Sequence, residues 1–356
     1  MSDDSGRHVR RKRYRGSHPR AFSEKYKERQ ADKYREDVQR VLERGDTPAG
    51  SHRSILVREI LEVLAPRPGE TAVDATLGYG GHAREILKAI LPGGRLFGFD
   101  RDPIELPKTE RRLLAEGFPK EAFVPVHANF SLLAEVLGDA GIEGVDVFLA
   151  DLGLSSMQVD DPERGFSFKQ RGPLDMRMDP RSGPSAREYL ESTSEGRLRD
   201  ILRANADEEA CGEIAHAIFL RRGALATTRD LTEAICSAFP GLAYKDPAMT
   251  KILRRAFQAI RIEVNGEFSA LEKLLADLPS CLKPGARAAF LAFHSGEDGR
   301  IESSFREGLE KGLYSAISPE ALRPGREELY GNPRSSSAKL RWALRAGLPD
   351  KAKERA

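Results

Sequence analysis

The chain has 356 residues, which is enough for one large or two ordinary domains, and its formal net charge of +2 is too small to name a charged partner. Its three cysteines (Cys211, Cys236 and Cys281) form no C-x-x-C pair, so we expect neither disulfides nor a zinc site, but a reducing compartment. No apolar signal segment or membrane-length apolar run is visible, so we expect a cytoplasmic protein without membrane association.

The first 50 residues form a basic extension. Residues 1–44 contain 14 Lys or Arg against 8 Asp or Glu, and residues 10–15 read Arg-Arg-Lys-Arg-Tyr-Arg. A helix is expected over about 23–44. The extension has two interpretations: it is a solvated, partly disordered tail, or it is an arm that gains affinity for RNA by releasing counterions from phosphates.

Apolar residues at helical spacing predict a helix over 54–64, and four strands then follow at intervals of roughly 20 residues. These strands are predicted at about 71–75, 95–99, 123–127 and 145–150. Each pair is separated by a helical stretch or a loop, which is typical of a parallel, doubly wound α/β sheet.

The strand rhythm then stops for more than 100 residues, until a fifth strand at Ala286–Phe293. Helical patterns occupy about 185–203, 207–222, 228–238 and 262–282 of the chain. We therefore predict an all-helical domain inserted into one connection of the sheet. The predicted bounds are 51–156 and 257–345 for the sheet domain, 157–256 for the insertion and 346–356 for a C-terminal tail.

The most informative segment runs from Val73 to His82 and reads Val-Asp-Ala-Thr-Leu-Gly-Tyr-Gly-Gly-His. Glycines allow a ligand to lie against the backbone of a turn that opens into a helix. A carboxylate about 20 residues later, here Asp100, commonly holds ribose hydroxyls. The G-x-G-x-x-G spacing of dinucleotide sites is not met, and Asp74 disfavours a phosphate. The turn therefore favours S-adenosyl-L-methionine, against the alternative of an ordinary strand-to-helix turn.

Three further polar stretches follow predicted strands, at the edge where such sheets bind ligands. They contain Phe130, the segment Asp151–Gln158, and the segment Phe293–Asp298. Phe130 is either a neighbour of an adenine or a core residue. No G-x-S-x-G elbow supports a serine hydrolase. His82 and His294 have no carboxylate at zinc-like spacing, so no metal site is predicted.

The segment from Glu163 to Asp179 interleaves Arg, Lys and Phe. Such a segment suits single-stranded nucleic acid, because bases stack on rings while cations meet phosphates. The equally weighted alternative is a loop pinned by internal salt bridges, between Asp175 and either Arg177 or Arg164.

In this order, these stretches resemble the bacterial ribosomal RNA small-subunit (16S) cytosine-N4 methyltransferases of the MraW or RsmH type. The resemblance covers about residues 52–345. Its motifs are His52-x-Ser-Ile-Leu-Val-x-Glu59, Val73-Asp-Ala-Thr-x-Gly78-x-Gly80-Gly81-His82, Phe99-Asp-Arg-Asp102, Asp151-Leu-Gly-Leu-Ser-Ser-x-Gln158, Glu163-Arg-Gly-Phe-Ser-Phe168, Gly172-Pro-Leu-Asp-Met-Arg-Met-Asp179, Phe257-Gln-Ala-Ile-Arg-Ile-x-Val-Asn265-x-Glu267, Phe293-His-Ser295 and Asn332-Pro-Arg-x-Ser336.

The resemblance implies a class I methyltransferase (Rossmann-like) sheet with an inserted helical domain, and methylation of a 16S cytosine near the decoding site. The implied S-adenosyl-L-methionine site consists of Gly80, Gly81, His82, Asp100, Phe130, Asp151 and Gln158. Asp151, Ser155 and His294 are the candidates for accepting the proton of the cytosine amine. The expected partner is 16S rRNA or the small ribosomal subunit. The sequence leaves the oligomeric state open, with a homodimer among the options.

The chain departs from the family pattern at two places. Gly296 stands where the family usually has leucine, with Gly299 inserted before Arg300, and Asn205–Glu208 replaces a Tyr-Gly-Glu-Glu type sequence. The basic extension is also additional to the usual pattern. Three alternatives follow: a paralogue that methylates another RNA site, a non-catalytic RNA-binding or ribosome-assembly factor, and a methyltransferase for a protein or small molecule.

Overall fold

Seven strands form one sheet in the computed structural model, which describes residues 54–206 and 208–347. The strands are β1 Thr71–Asp74, β2 Arg95–Asp100, β3 Phe123–His127, β4 Val145–Asp151, β5 Leu282–Ala292, β6 Tyr314–Ile317 and β7 Lys339–Arg345. Their order is β3-β2-β1-β4-β5-β7-β6. The first five are parallel, and β7 runs antiparallel to both β5 and β6.

Thirteen α-helices lie in the described part of the chain. They are α1 Val57–Leu64, α2 Gly81–Ile90, α3 Leu106–Ala115, α4 Leu133–Asp139, α5 Ser156–Asp160, α6 Ala186–Ser192, α7 Glu195–Ala206, α8 Cys211–Arg221, α9 Thr228–Ser237, α10 Pro247–Asn265, α11 Glu267–Cys281, α12 Ser295–Glu310 and α13 Arg326–Gly331. Apolar residues of α1, α2 and α3 cover one face of the sheet, and those of α4, α11 and α12 cover the other. The predicted doubly wound α/β class is therefore confirmed.

The five predicted strands are present, but β6 and β7 escaped prediction. The helix predicted over 262–282 is two helices, because Gly266 takes φ +59° and both ends α10 and begins α11. The helix predicted over 185–203 is also two, α6 and α7. The helix predicted over 23–44 and most of the predicted tail lie outside the described residues.

Helices α6 to α10, between β4 and β5, enclose a hydrophobic cluster that is separate from the two clusters on the sheet. Residues as far apart as Phe166 and Ile260 belong to it. This arrangement agrees with an inserted helical domain, whose exact bounds stay a prediction.

A buried carboxylate ties the segment before this helical part to the sheet. Asp102, fully buried just after β2, accepts hydrogen bonds from Gln158 Nε2 at 3.0 Å and from Arg164 Nη1 at 2.6 Å. Arg164 also donates to the carbonyls of Arg177 and Met178. The irregular chain after β4 is thus held against the end of β2.

We expect the Arg164→Ala substitution to lower the free energy of unfolding by about 3 kcal/mol, because it leaves the Asp102 carboxylate buried without its cationic partner. Arg181→Ala is the matched control. Arg181 pairs with Asp179 on the same segment but is 62% exposed, so its loss is expected to cost less than about 1 kcal/mol. Urea denaturation of both variants measures the difference, and equal losses would contradict a stabilising role for the buried pair.

Gly296, which stands where the resembled family usually has leucine, lies in the first turn of α12, against Phe268 of α11. A Cβ at Gly296 would lie 2.6 Å from Phe268 Cζ, whereas a Cβ at Gly299 would meet nothing within 4 Å. Arg300 lies over the same ring, 3.7 Å from its centroid. The Phe268 ring therefore fills the space that a larger side chain at 296 would need.

We expect Gly296→Ala to destabilise the protein by about 1–3 kcal/mol, because the new methyl group overpacks against Phe268. Gly299→Ala in the same helix is expected to stabilise it by about 1 kcal/mol, since alanine is the better helix former and the space is open. Thermal unfolding compares the two variants. Similar behaviour of both would show that the contact with Phe268 is not restrictive.

Candidate active site

Three carboxylates lie at the carboxyl ends of neighbouring parallel strands. Asp74 ends β1, Asp100 ends β2 and Asp151 ends β4, and β1 pairs with both of the other strands. Parallel strands bring their carboxyl ends to one edge, and this edge is where doubly wound sheets bind ligands. The sequence prediction that these residues share one edge is confirmed by the strand register.

The glycine turn between β1 and α2 is held by side chains from the next connection. Thr109 Oγ1 donates to the Gly78 carbonyl at 2.6 Å, and Gly80 takes φ +80°. A Cβ at Gly80 would lie 2.7 Å from Thr109 Cγ2, and one at Gly81 would lie 2.0 Å from Ser54 Oγ. Glycine is therefore favoured at 80 by its dihedral angle, and at both positions a Cβ would displace a neighbouring side chain.

Asp100 faces this turn from the end of β2. Its Oδ2 accepts the Gly78 amide at 3.0 Å, and its Oδ1 accepts the Asp102 amide at 2.8 Å. Burial raises the pKa of Asp100 to about 7, although both amide bonds favour its ionised form. Each oxygen keeps a further lone pair, so the ionised carboxylate can still accept hydrogen bonds from a ligand.

His82, in the first turn of α2, lies with two of the carboxylates. Its Nε2 is 3.5 Å from Asp151 Oδ2, which is the distance of an ion pair rather than of a well-formed hydrogen bond. Burial opposes protonation, but Asp151 and Asp74 outweigh it, so the pKa of His82 is raised. Burial raises the pKa of Asp74 to about 6. The Asp151 side chain keeps 28% of its surface exposed, while its amide donates to Thr76 Oγ1 at 2.6 Å.

Ser155 and Gln158 form a capping box at the start of α5. Ser155 Oγ accepts the Gln158 amide at 3.2 Å, and Gln158 Oε1 accepts the Ser155 amide at 3.0 Å. Because Gln158 Nε2 donates to Asp102, α5 is fixed beside the residues that follow Asp100 at the end of β2. The structure thus brings Gln158 to the edge where the sequence predicted it, and its cofactor role stays a prediction.

Phe130 lies in a short 3₁₀ turn after β3, where the Asn129 side chain accepts the Ser131 amide. Its ring is half-buried and packs against the sheet's hydrophobic cluster. Phe130 is therefore partly a core residue at the same edge, and contact with an adenine stays a prediction.

His294 precedes α12 and caps it. Its Nδ1 accepts the Glu297 amide at 3.3 Å, and its Nε2 lies 3.1 Å from Glu297 Oε1. Glu297 is buried, yet His294 and the Phe293 amide hold the pKa of its carboxyl below the usual value. Both ring nitrogens of His294 thus face its own helix. The geometry assigns it a structural role, and its catalytic role stays a prediction.

The two aromatic rings of the segment 163–179 pack against the helical part of the molecule, Phe166 fully and Phe168 in part. Phe166 is buried in the helical cluster, and Phe168 packs edge-on against Phe257 with ring centroids 5.7 Å apart. Asp175 instead pairs with Arg177 through both oxygens. Phe166 is therefore not available for base stacking, and the ion pair of the alternative, Asp175 with Arg177, is present. A nucleic-acid role of the segment stays a prediction.

Sequence reasoning did not select three residues that organise this edge. Asp102 and Thr109 hold Gln158 and the glycine turn. Asn265, at the end of α10, accepts the Met178 amide and donates to the Met176 carbonyl, both within 2.8 Å. Asp102 and Asn265 lie in motifs of the family resemblance, which was the available signal. Nothing local distinguishes Thr109.

No group of three His, Cys, Asp or Glu side chains within 54–206 and 208–347 has the arrangement of a metal site. The three cysteines are free thiols. Among the helices of the same residues, none combines the length and the apolar character needed to cross a bilayer.

Comparison with known proteins finds relatives that are similar along almost the whole chain. The chain is 47% identical over 345 residues to the ribosomal RNA small subunit methyltransferase H 1 of Lachnoclostridium phytofermentans, covering 95% of this chain and 93% of the relative. The relative of the same name from Agathobacter rectalis is 44% identical over 97% of this chain and 100% of its own length. Methyltransferase H 2 of Alkaliphilus metalliredigens is 46% identical over the same two fractions.

At 97% of the chain, the last two alignments include most of residues 1–48, so these two relatives share the N-terminal extension. The ribosomal RNA small subunit methyltransferase H of Rubrobacter xylanophilus, 39% identical, aligns over 98% of its own length but only 85% of this chain, which agrees with an extension that is additional to the usual pattern. The family model described as the MraW methylase family matches residues 49–346, which is most of the chain. The chain therefore belongs to the MraW methylase family.

Proposed function

We propose that this protein transfers a methyl group from S-adenosyl-L-methionine to the N4 amine of a cytosine in 16S ribosomal RNA, near the decoding site. The observation that carries the proposal is the set of strand ends at which Asp100 faces a glycine turn and Asp151 lies half-exposed beside it. Membership of the MraW methylase family and relatives named for small-subunit ribosomal RNA support the same conclusion.

The residues at this edge fit the proposed cofactor. At Gly80 and Gly81 the Thr109 and Ser54 side chains already take the space of a Cβ, so the turn packs tightly, and Asp100 offers acceptors for two ribose hydroxyls. The glycine turn lacks the third glycine of a pyrophosphate site. The carboxylates at this edge of the sheet favour the ammonium group of an amino acid over a phosphate. Phe130 and Gln158 would flank the base. When bound, the cofactor supplies an electrophilic methyl group on a sulfonium sulfur.

The chain's own residues would position the cytosine and handle its proton. The amine is a weak nucleophile because its lone pair is delocalised into the ring. A carboxylate that accepts a hydrogen bond from the amine returns electron density to the nitrogen and can take up the departing proton. Asp151 is the candidate with an exposed carboxylate, since Ser155 Oγ caps α5 and His294 caps α12.

Two alternatives remain under test. A paralogue would methylate a different RNA site with the same residues, and a non-catalytic RNA-binding or assembly factor would bind RNA without turnover. The intact arrangement of Gly80, Asp100 and Asp151 favours a working enzyme over the second alternative, because RNA binding alone does not require that geometry.

The function is tested by incubating the protein with labelled cofactor and small ribosomal subunits from a strain that lacks the enzyme, then mapping the modified base by mass spectrometry. We expect one N4-methylated cytosine. In the same assay, Asp151→Asn is expected to lower turnover by at least about 100-fold, because a general base typically contributes that much or more. Asp146→Asn, at the opposite end of β4, is expected to leave turnover unchanged.

Each result has a clear meaning. A methyl group on another nucleotide would favour the paralogue, and cofactor binding without methylation of any RNA would favour the assembly factor. Undiminished turnover of a folded Asp151→Asn variant would remove Asp151 from the proton-accepting role.

Cofactor affinity is expected to fall as the pH is lowered through about 7. Without ligand, Asp100 has a pKa of about 7, and only its ionised form offers acceptors to both ribose hydroxyls. Affinity should therefore weaken about tenfold per pH unit below that value. Calorimetry with S-adenosylhomocysteine, which cannot react, measures the profile.

The Asp100→Asn variant is the control for this profile. It is expected to bind weakly at high pH and to lose most of the pH dependence. Any pH dependence of the affinity that remains is expected to come from Asp74 and His82, whose pKa values are also raised. A wild-type affinity that does not change with pH would contradict the assigned role of Asp100.

A further inference from the structure

The connection between β6 and β7 lies at the edge that carries the candidate site. Lys339, the first residue of β7, pairs with Ala292 at the carboxyl end of β5. Leu322 exchanges both backbone hydrogen bonds with Leu340. Residues 323–338 therefore leave and re-enter the sheet at the edge where the parallel strands end.

Two contacts fix this connection across the site. Glu328 Oε1 accepts the Leu56 amide at 2.8 Å, beside the Ser54 side chain that abuts Gly81. Arg334 donates to both carboxylate oxygens of Asp160, at 2.9 and 3.2 Å, on the helix that carries Gln158. The connection is thus anchored both beside the glycine turn and on α5.

The connection between β6 and β7 presents three large apolar side chains to solvent, two of them between these anchors. Tyr330 is 93% exposed, and Leu322 and Leu329 are 42% and 37% exposed. They are three of the eight exposed large apolar side chains in the described part of the chain. Arg323 and Arg326 are exposed on the same connection. A fully exposed aromatic ring beside a catalytic edge has no role in packing.

We propose that Tyr330 is a stacking platform for an unpaired RNA base next to the target nucleotide. This inference rests on the proposed function, because it names RNA as the occupant. To reach the sheet edge, the target base must leave its stack, and its neighbour then loses a stacking partner. An aromatic ring replaces that partner for any base. Phe166 is not available for this purpose, because it is buried in the helical cluster.

The connection carries no net charge, which distinguishes stacking on Tyr330 from binding of phosphates. Arg323, Arg326 and Arg334 are balanced by Glu320, Glu327 and Glu328. Affinity contributed by Tyr330 should therefore be nearly independent of salt, unlike affinity gained by releasing counterions from phosphates.

The test uses the full-length protein and a fluorescein-labelled oligocytidylate, titrated by fluorescence anisotropy at several salt concentrations. Tyr330→Ala is expected to weaken binding about tenfold, a typical loss for one base–aromatic stack, at every salt concentration. The slope of affinity against salt should not change. Tyr330→Phe, which keeps the ring, should bind like wild type. Leu309→Ala, at the opposite end of α12, is the control for loss of an exposed apolar side chain.

Turnover on small ribosomal subunits gives a second readout. Tyr330→Ala should raise KM for the subunit and leave the affinity for S-adenosylhomocysteine unchanged. Unchanged RNA affinity of Tyr330→Ala overturns the inference. So does a wild-type dimer that becomes monomeric in Tyr330→Ala with RNA binding intact, since the face would then be an interface between copies. If wild type binds RNA through Tyr330 but methylates none, the platform stands and the proposed function fails.

Discussion

The parallel pairing of β1 with β2 and β4 is the constraint on which the site depends, because it forces three carboxylates to one edge. Burial disfavours ionisation and raises the pKa values of Asp74 and Asp100, and the neighbouring carboxylates add to this effect. Each carboxylate lies close to compensating groups: the Thr76 amide for Asp74, two amides for Asp100 and His82 for Asp151. The carboxylates at this edge can therefore still accept hydrogen bonds from a ligand and pair with its positive charge.

Asp102 connects this edge to the rest of the molecule. Its amide donates to Asp100, and its carboxylate holds Gln158 and Arg164. Arg164 and Asn265 in turn bind the backbone of residues 176–178. Hydrogen bonds therefore connect Asp100, through Asp102 and Arg164, to the segment that leads into the helical part. We expect loss of the Arg164 side chain to disturb the position of Asp100 as well as the packing of the helices.

Local patterns were sufficient for the parts of the fold that rest on local causes. Apolar runs marked the five parallel strands, and three glycines marked the turn at Gly78–Gly81. Pairing between distant residues was not visible. β7 carries Arg341, which looks like a surface residue in the sequence but is buried because Asp298 and Glu302 bind it. Phe166 and Phe168 stand among charged residues in the sequence, yet Phe166 is buried in the helical cluster and Phe168 packs edge-on against Phe257 of α10.

The same long-range pairing bears on the departures from the family pattern. The space that a leucine at 296 would need is filled by the Phe268 ring, which Arg300 covers from another side. Asn205 donates to the Ala259 carbonyl and accepts from Gln258, so it joins α7 to α10 inside the helical part. Internal packing therefore accounts for Gly296 and for Asn205, and the choice of nucleotide is decided by mapping the modified base.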